Sequence, residues 1–372
     1  MMRKVLLMAP AISVHKQFNN SCIGALKKLM CDIHLVTNVL DDNDIIYYKQ
    51  QGITLHNIPF TRSSFIKNSL LIKSLRKLLR KEKFDLVHCH TETGGFITRL
   101  SMSADKKAIY IFTPHGMSFY IGSGMKSWLA YYPVERWICR KMSANVGMNK
   151  EEYHFLKKWN ENTANYIHGT GLDVDKIKST EVDFAKKRRE LNVPENVKLI
   201  VSAGELNENK NHKAILNILG DLEDRNVFYI ICGIGGLEAE LKALCRQKNI
   251  DKRVIFLGYR DDIYEILKIA DAYVFPSFHE GLSLSLMEAM SAGLPVVCSK
   301  IRGNIDLIEN NEGGFLCDPS DSDAFLKAIS EVLNSEDLRK KMGEINMAKI
   351  DKFDISAVEN EMLSIYKRVV GD

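Results

Sequence analysis

The feature that most restricts the fold of this chain is an alternation of two patterns. Short, almost unbroken apolar runs rich in β-branched residues recur, and segments with helical spacing of apolar residues separate them. The runs are 4-KVLLMAP-10, 32-DIHLVT-37, 53-ITLHNI-58, 85-DLVHCH-90, 108-AIYIFT-113, 197-VKLIVSA-203, 226-NVFYIIC-232, 253-RVIFLG-258, 272-AYVFPS-277, 295-PVVCS-299 and 313-GGFLCD-318. Several lack the polar alternation of a half-exposed strand, which marks strands buried on both faces of a parallel sheet. Parallel neighbours cannot be joined by tight turns, and the segments 69–81, 236–247 and 324–333 read as crossover helices of βαβ units. The chain has 372 residues, more than one ordinary core takes. The alternation lapses once, across 169-GTGLDVDKIKSTEVDFAKKRRELNVPEN-196. The expected fold is therefore α/β: two Rossmann-like domains, residues 1–168 and a second beginning at 169, with parallel sheets facing a central cleft. Ligands of such sheets bind beyond the carboxyl ends of the strands.

Composition narrows the class. With 45% hydrophobic and 26% charged residues the chain is neither disordered nor fibrous. The opening MMRKVLLMAPAI has too short an apolar core for a signal peptide, and no run approaches the ~18 apolar residues of a membrane span. Eight cysteines are scattered without a CxxC pair, which suits reduced thiols in a cytoplasmic protein better than disulfides or zinc. The net charge of +4 conceals a division. Residues 1–168 hold 24 Lys+Arg against 12 Asp+Glu, a net +12, and the remainder holds 27 against 35, a net −8. The first half is thus suited to an anionic surface.

Four strand-end segments carry candidate chemistry. In 202-SAGELNENKNH-212 a buried strand ends at Gly204, and Lys210 follows just before a helix. A lysine there offers a compact positive charge to a diphosphate, or is a solvated loop residue. In 231-ICGIGGLEAE-240, Gly233 opens a turn into a helix whose amides suit phosphate. The full GxGxxG pattern is absent, and a tight βα turn needs glycine in any case. In 113-TPHGMSFY-120, His115 sits between Pro114 and Gly116, either structural or aimed at a ligand.

The fourth segment, 279-HEGLSLSLMEAMSAGLPVVCSK-300, places Glu280 and Glu288 eight residues apart. Glu280 is expected ahead of a helix and Glu288 a turn or more inside it, with the amides of Gly281, Leu282, Ser283 and Leu284 as donors at its start. The plain alternative is an acid favoured by the helix dipole plus one solvent-facing glutamate. The apolar flanks argue for burial, and a buried carboxylate needs partners such as sugar or ribose hydroxyls. Three Asp-x-Asp triplets, at 42–44, 173–175 and 321–323, read as turn features rather than metal clamps.

Taken in order, Gly204 to Lys210, Gly233-x-Gly235, Leu257-Gly258-Tyr259-Arg260, the Glu280/Glu288 pair, Pro295-Val296-Val297 and Arg302-Gly303 resemble the GT-B retaining glycosyltransferases that use nucleotide sugars. The resemblance spans the chain, is strongest over 197–319, and is similar in detail to bacterial enzymes of capsular and exopolysaccharide synthesis. It implies a first domain that receives the acceptor, and a second, 169–354, that binds the donor. It also implies a last helix, within 355–372, returning to the first domain. Glu280 would contact donor-sugar hydroxyls, Glu288 the ribose, and Lys210 with the Gly281–Leu284 amides the departing diphosphate. His115 would lie near the reacting sugar. No metal and no enzymic nucleophile are implied, and the nucleotide sugar is a co-substrate rather than a cofactor. Two positions depart from the pattern: Glu205 stands where many relatives have arginine, and Ser283 where many have glycine. Arg260 or Arg302 is the expected compensating cation.

The basic segments 62-RSSFIKNSLLIKSLRKLLRKEK-83 and 126-KSWLAYYPVERWICRK-141 are expected to rest on an anionic membrane, with Trp128, Tyr131, Tyr132 and Trp137 at its interface. The partners expected are a UDP-sugar and a polyprenyl-diphosphate-linked or other glycolipid acceptor; nucleic acid is not among them. The expected activity moves a hexose or N-acetylhexosamine to that acceptor, at the inner face of the cell membrane. Two rivals remain: a UDP-N-acetylhexosamine 2-epimerase-like isomerase on the same fold, and a non-catalytic sugar-nucleotide binder, for which Glu205 is the motive.

Overall fold

A computed structural model describes residues 2–39, 41–60, 65–222 and 224–371. It divides into two units, residues 1–171 with 355–372, and residues 172–354.

The first unit is built on a seven-stranded parallel sheet. Its strands are β1 (Lys4–Ala11), β2 (Asp32–Asn38), β3 (Thr54–Asn57), β4 (Leu86–His90), β5 (Ile109–Thr113), β6 (Ala144–Gly147) and β7 (Ala164–Tyr166), in the order β3-β2-β1-β4-β5-β6-β7. Successive side chains go to opposite faces. Val5 and Leu7 join one core layer and Leu6 and Met8 the other. All four are at most 2% exposed, the physical reason for an unbroken apolar run. In the helix Phe65–Glu82, Leu71, Leu75 and Leu79 recur every four residues and are buried, each contributing roughly 1.5–3 kcal/mol. Lys73, Lys77, Arg80 and Lys81 of that helix face solvent. Residues 61–64, at the start of the expected basic segment, lie outside the described residues. The final helix, Ile355–Val370, closes the opposite face with Val358, Met362, Ile365 and Tyr366.

The second unit carries a six-stranded parallel sheet. Its strands are β8 (Lys198–Ala203), β9 (Val227–Cys232), β10 (Val254–Gly258), β11 (Ala272–Phe275), β12 (Val296–Ser299) and β13 (Gly314–Cys317), ordered β10-β9-β8-β11-β12-β13. Tyr273, Phe275, Val296 and Cys298 enter one core layer and Ala272, Val274 and Val297 the other. The eleven expected runs all contain strands, whose ends agree with the runs to within two residues.

Sequence patterning missed β6 and β7. Their sequences, ANVG and ANY, lack an apolar run, and sheet pairing makes them strands: Ala144 and Asn145 pair with Ile111 and Phe112 of β5, and Asn145–Gly147 pair with Ala164–Tyr166. The aromatic residues expected at a membrane need correction. Trp128 and Tyr132 pack against Phe119 and Phe155, and Trp137 lies under the Arg99 guanidinium at 4.5 Å. Of the four, Tyr131 alone is exposed, because the other three fill the core beside β5 and β6.

Candidate functional site

The site is built on the carboxyl ends of β8, β9 and β11. Beyond β8 the polar loop 204–211 is fixed by its asparagines, which recur at every second residue. Asn207 Oδ1 accepts from Lys210 N at 3.0 Å, Asn209 Nδ2 donates to His279 O at 2.9 Å, and Asn211 Nδ2 donates to Pro276 O and Pro319 O, both at 3.1 Å. Asn211 takes a left-handed conformation that asparagine tolerates better than most residues. The loops after β8 and β11 are thereby tied together.

That tie brings Lys210 onto Glu280. Lys210 Nζ lies 2.7 Å from Glu280 Oε1, with the two side chains only 18% and 13% exposed. The ammonium also lies 4.8 Å from the centre of the Phe275 ring. Sequence reasoning treated these residues as separate groups; the fold makes them one pair. Arg302, 7% exposed, joins them: its Nε donates to Glu280 O at 3.1 Å, and its Nη2 lies 3.4 Å from His279 Nε2. Burial, with the Arg302 and Lys210 charges, lowers the His279 pKa, so that ring stays neutral. Gly303, at φ +80°, makes this approach possible, since a β-carbon there would stand 2.1 Å from Gly281 O. Sequence reasoning passed over the three asparagines, which only the partner loop's carbonyls explain.

The helix Leu284–Ser291 begins after Glu280, and Ser283 is its N-cap, with Ser283 Oγ accepting from Leu286 N at 3.4 Å. The Ser283 departure thus has a local role: the hydroxyl caps a helix that a glycine would leave uncapped by a side chain. Leu282, Ser283 and Leu284 open the helix, where first-turn amides have no intrahelical acceptor. Glu288 is the helix's fifth residue. Among the described residues no hydrogen-bond partner is found for its carboxylate, and burial raises its pKa to about 7. Its charge is felt by Tyr264 and Tyr273, the latter holding Ala203 N at 3.2 Å.

Other expected residues have other settings. Gly204 lies against Lys210, and Gly233 against Gly204 O, where a β-carbon would come within 1.8 Å. The glycines of the β9 turn therefore let two loops touch, the plainer of their two readings. Arg260 is engaged away from Lys210: Nε and Nη2 grip Asp262 at 2.7 and 2.5 Å, and Lys187 pairs with the same carboxylate. Glu205 is exposed and its Oε2 accepts from Asn207 Nδ2 at 3.0 Å. The three Asp-x-Asp triplets start helices: Asp173 and Asp321 are N-caps, and Asp42 and Asp44 occupy the first turn of Asp42–Gln50.

His115 belongs to the first unit, past the carboxyl end of β5. Its φ of +58° is unusual for a non-glycine residue, as is +66° at Thr91 past the end of β4. His90 Nδ1 lies 2.8 Å from His115 Nε2, and burial lowers the His115 pKa to about 3 with help from His15, so the ring is neutral. Cys22, His88 and His90 bring ligand atoms within 4.8 Å of one another. His88 spends both ring nitrogens on Tyr366 and Thr113, each at 2.8 Å, and burial pushes the Cys22 thiol up to about 11. This chemistry fits a hydrogen-bonded core better than a metal centre.

Two successive units, each a parallel sheet with helices, form the GT-B architecture. The Anabaena HepE structure in complex with UDP and glucose shares it, with a TM-score of 0.82 at 17% identity over 98% of this chain and 100% of that one. So does a glycosyltransferase from Rickettsia africae, with a TM-score of 0.82 at 18% identity over 100% and 99%. Residues 183–348 match the family model "Glycosyl transferases group 1" and residues 4–146 match "Glycosyl transferase 4-like". Each of these matches lies within one of the two units, and together they make the chain similar to glycosyltransferases along most of its length. Similar curated proteins are the putative glycosyltransferase EpsD of Bacillus subtilis, 28% identical over 98% of this chain and 97% of that protein, and the Escherichia coli UDP-Gal:alpha-D-GlcNAc-diphosphoundecaprenol alpha-1,3-galactosyltransferase, 27% identical over 82% and 80%.

Proposed function

We propose that this protein transfers a hexose or N-acetylhexosamine from a UDP-sugar to a polyprenyl-diphosphate-linked or similar glycolipid acceptor in bacterial surface polysaccharide synthesis, with retention at the anomeric carbon and without a metal. The observation that carries the reading is the Lys210–Glu280 pair beside the start of the helix bearing Glu288. A carboxylate paired with an ammonium can accept from sugar hydroxyls while the ammonium turns to a phosphate oxygen. Glu288, half-buried and with no hydrogen-bond donor found for it among the described residues, suits the two ribose hydroxyls. In transfer the bond from the anomeric carbon to the diphosphate oxygen breaks, and a bond to the acceptor oxygen forms on the same face. The acceptor's proton leaves with the diphosphate. Lys210 and the helix-start amides oppose the charge that develops on that leaving group, the contribution that dominates such reactions. UDP in the Anabaena structure and the diphosphoundecaprenol substrate named for the Escherichia coli relative support the donor and acceptor classes.

The membrane reading uses the first unit. No helix among the described residues is long and apolar enough to cross a membrane. On the helix Met125–Cys139 and the turn before it, Ile121, Met125 and Leu129 are each more than 70% exposed, with Lys126, Arg136, Arg140 and Lys141 exposed around them. An exposed apolar face rimmed by cations suits an anionic lipid surface. These residues take the place of the inward-packed Trp128, Tyr132 and Trp137 in the membrane reading.

Donor binding is tested by thermal shift with UDP-, GDP- and ADP-sugars, since a ligand of the native state raises its melting temperature. No shift with any of them overturns the reading. With the stabilising donor and a polyprenyl-diphosphate sugar acceptor, Lys210→Ala is expected to lower kcat by about 10²–10³. Product formed by wild type from donor alone would favour the epimerase instead. For the lipid surface, Met125→Asp with Leu129→Asp is expected to abolish flotation with anionic vesicles while leaving transfer to a short soluble acceptor intact. Flotation equal to wild type removes that face from the reading.

A further inference from the structure

The first unit holds a titratable cluster that the donor chemistry does not use. Glu135, on the helix Met125–Cys139, is 1% exposed. Facing it are Glu92 from the helix Thr91–Ser101 and Glu152 from the helix Lys150–Trp159, with Cys139 one turn along its own helix. None of these is a cation. Each neighbouring glutamate is already committed as an acceptor to the loop that follows β5. Glu152 Oε1 accepts from Met117 N at 3.2 Å and Oε2 from Met148 N at 3.2 Å. Glu92 grips Ser118 twice, Oε1 accepting from the amide at 2.5 Å and Oε2 from the hydroxyl at 2.7 Å. Glu135 has only a long contact, 3.4 Å from the Ser118 amide to Oε1, and its buried Oε2 has no donor within reach.

A carboxylate buried to 1% beside a second, half-buried one is poorly placed to ionise, because neither its repulsion with that neighbour nor its lost hydration is offset. Glu92 is the better anion, since it receives two hydrogen bonds and sits in the first turn of a helix. The proton therefore belongs on Glu135. We propose that Glu135 is a neutral acid that donates its hydrogen bond to Glu92 and acts as a positioning residue for the Ser118 turn of the 113–120 loop. Burial and the neighbouring Glu92 raise the Glu135 pKa well above the carboxylate range. The proton completes a chain from one helix through Glu92 to the loop carrying His115. Ionising Glu135 would set two anions against each other and loosen the grip on Ser118. The inference rests on the transferase reading only in supposing that this loop serves transfer.

Glu135→Gln and Glu135→Ala separate the possibilities, because an amide can donate to Glu92 but never ionises and alanine does neither. Glu135→Gln is expected to keep kcat within about twofold of wild type at neutral pH and to lack the alkaline fall in rate expected of wild type. Glu135→Ala is expected to lower kcat about tenfold or more with KM for the UDP-sugar unchanged, as displacement of a catalytic loop does. Difference infrared spectroscopy supplies a readout independent of activity: wild type should show a protonated-carboxyl C=O band at neutral pH that Glu135→Gln lacks. Equal bands in the two proteins, or glutamine and alanine variants equally impaired, overturn the proposal. If wild type transfers to no acceptor, the functional reading fails, while the infrared band still decides the protonation of Glu135.

Discussion

At the scale of single residues, the site divides its work between two glutamates in opposite electrostatic settings. Glu280 is paired with Lys210, whereas Glu288 is half-buried and has no ion pair among the described residues. Glu280→Gln should therefore cripple transfer while leaving UDP affinity near wild type. Glu288→Gln should weaken UDP binding itself, and isothermal titration with UDP distinguishes the two. Equal losses of UDP affinity would end this division of labour. Glu288 also predicts a pH dependence of stability. Its folded pKa of about 7 lies above the ordinary 4.5, so the native state binds its proton more tightly. Stability is then lost as pH rises from 4.5 through 7, by at most about 3 kcal/mol. Urea unfolding at pH 5 and pH 8 should show Glu288→Gln gaining on wild type at the higher pH. A variant with the wild type's pH dependence would assign that dependence elsewhere.

At the scale of elements, the decisive structures are a helix start and a pair of loops. Ser283 caps the helix Leu284–Ser291, so Ser283→Ala should cost about 1 kcal/mol and Ser283→Gly only a few tenths. In a unit of this size that loss lowers the melting temperature by about 2–4 °C. Gly303→Ala should be worse, because its φ of +80° is unfavourable to a side chain and the new methyl would meet Gly281 O. The expected cost is about 1–3 kcal/mol, with transfer lost more than stability because the Glu280 loop is what must move. Full transfer activity in Gly303→Ala would show that this approach does not position Glu280.

At the scale of the whole molecule, the two units differ in charge and in response to acid. His15, His88 and His115 in the first unit have pKa values lowered to about 4, 3 and 3, and His90 lies well below its ordinary value, in each case chiefly by burial. A folded pKa below the unfolded 6.5 contributes stability that is present above pH 6.5 and lost as pH falls toward 4. The second unit has only His212 and His279 shifted this way, and Glu288 there resists acid. Hydrogen exchange compared at pH 7 and pH 4.5, corrected for intrinsic rates, should show peptides of residues 1–171 losing protection first. Simultaneous loss in both units would refute a histidine origin for acid sensitivity.

How much was legible follows from the range of the forces involved. The apolar runs determined two parallel sheets, because burial on both faces leaves a local imprint on each strand. The spacing of Glu280 and Glu288 and the position of Lys210 ahead of a helix were equally local, and so could be read. The strands ANVG and ANY were not, since pairing partners far along the chain make them strands. Nor could the sequence tell that Trp128 and Tyr132 turn inward while Met125 and Leu129 turn outward, because one helix offers both faces until a core claims one. By itself the sequence determined the sheets, the helix starts and which carboxylates to watch. Only the tertiary structure decided the partners: Lys210 for Glu280, Asp262 for Arg260, and Glu92 beside Glu135. Charge pairing depends on distances of a few ångströms between segments distant in sequence, and no local pattern encodes them.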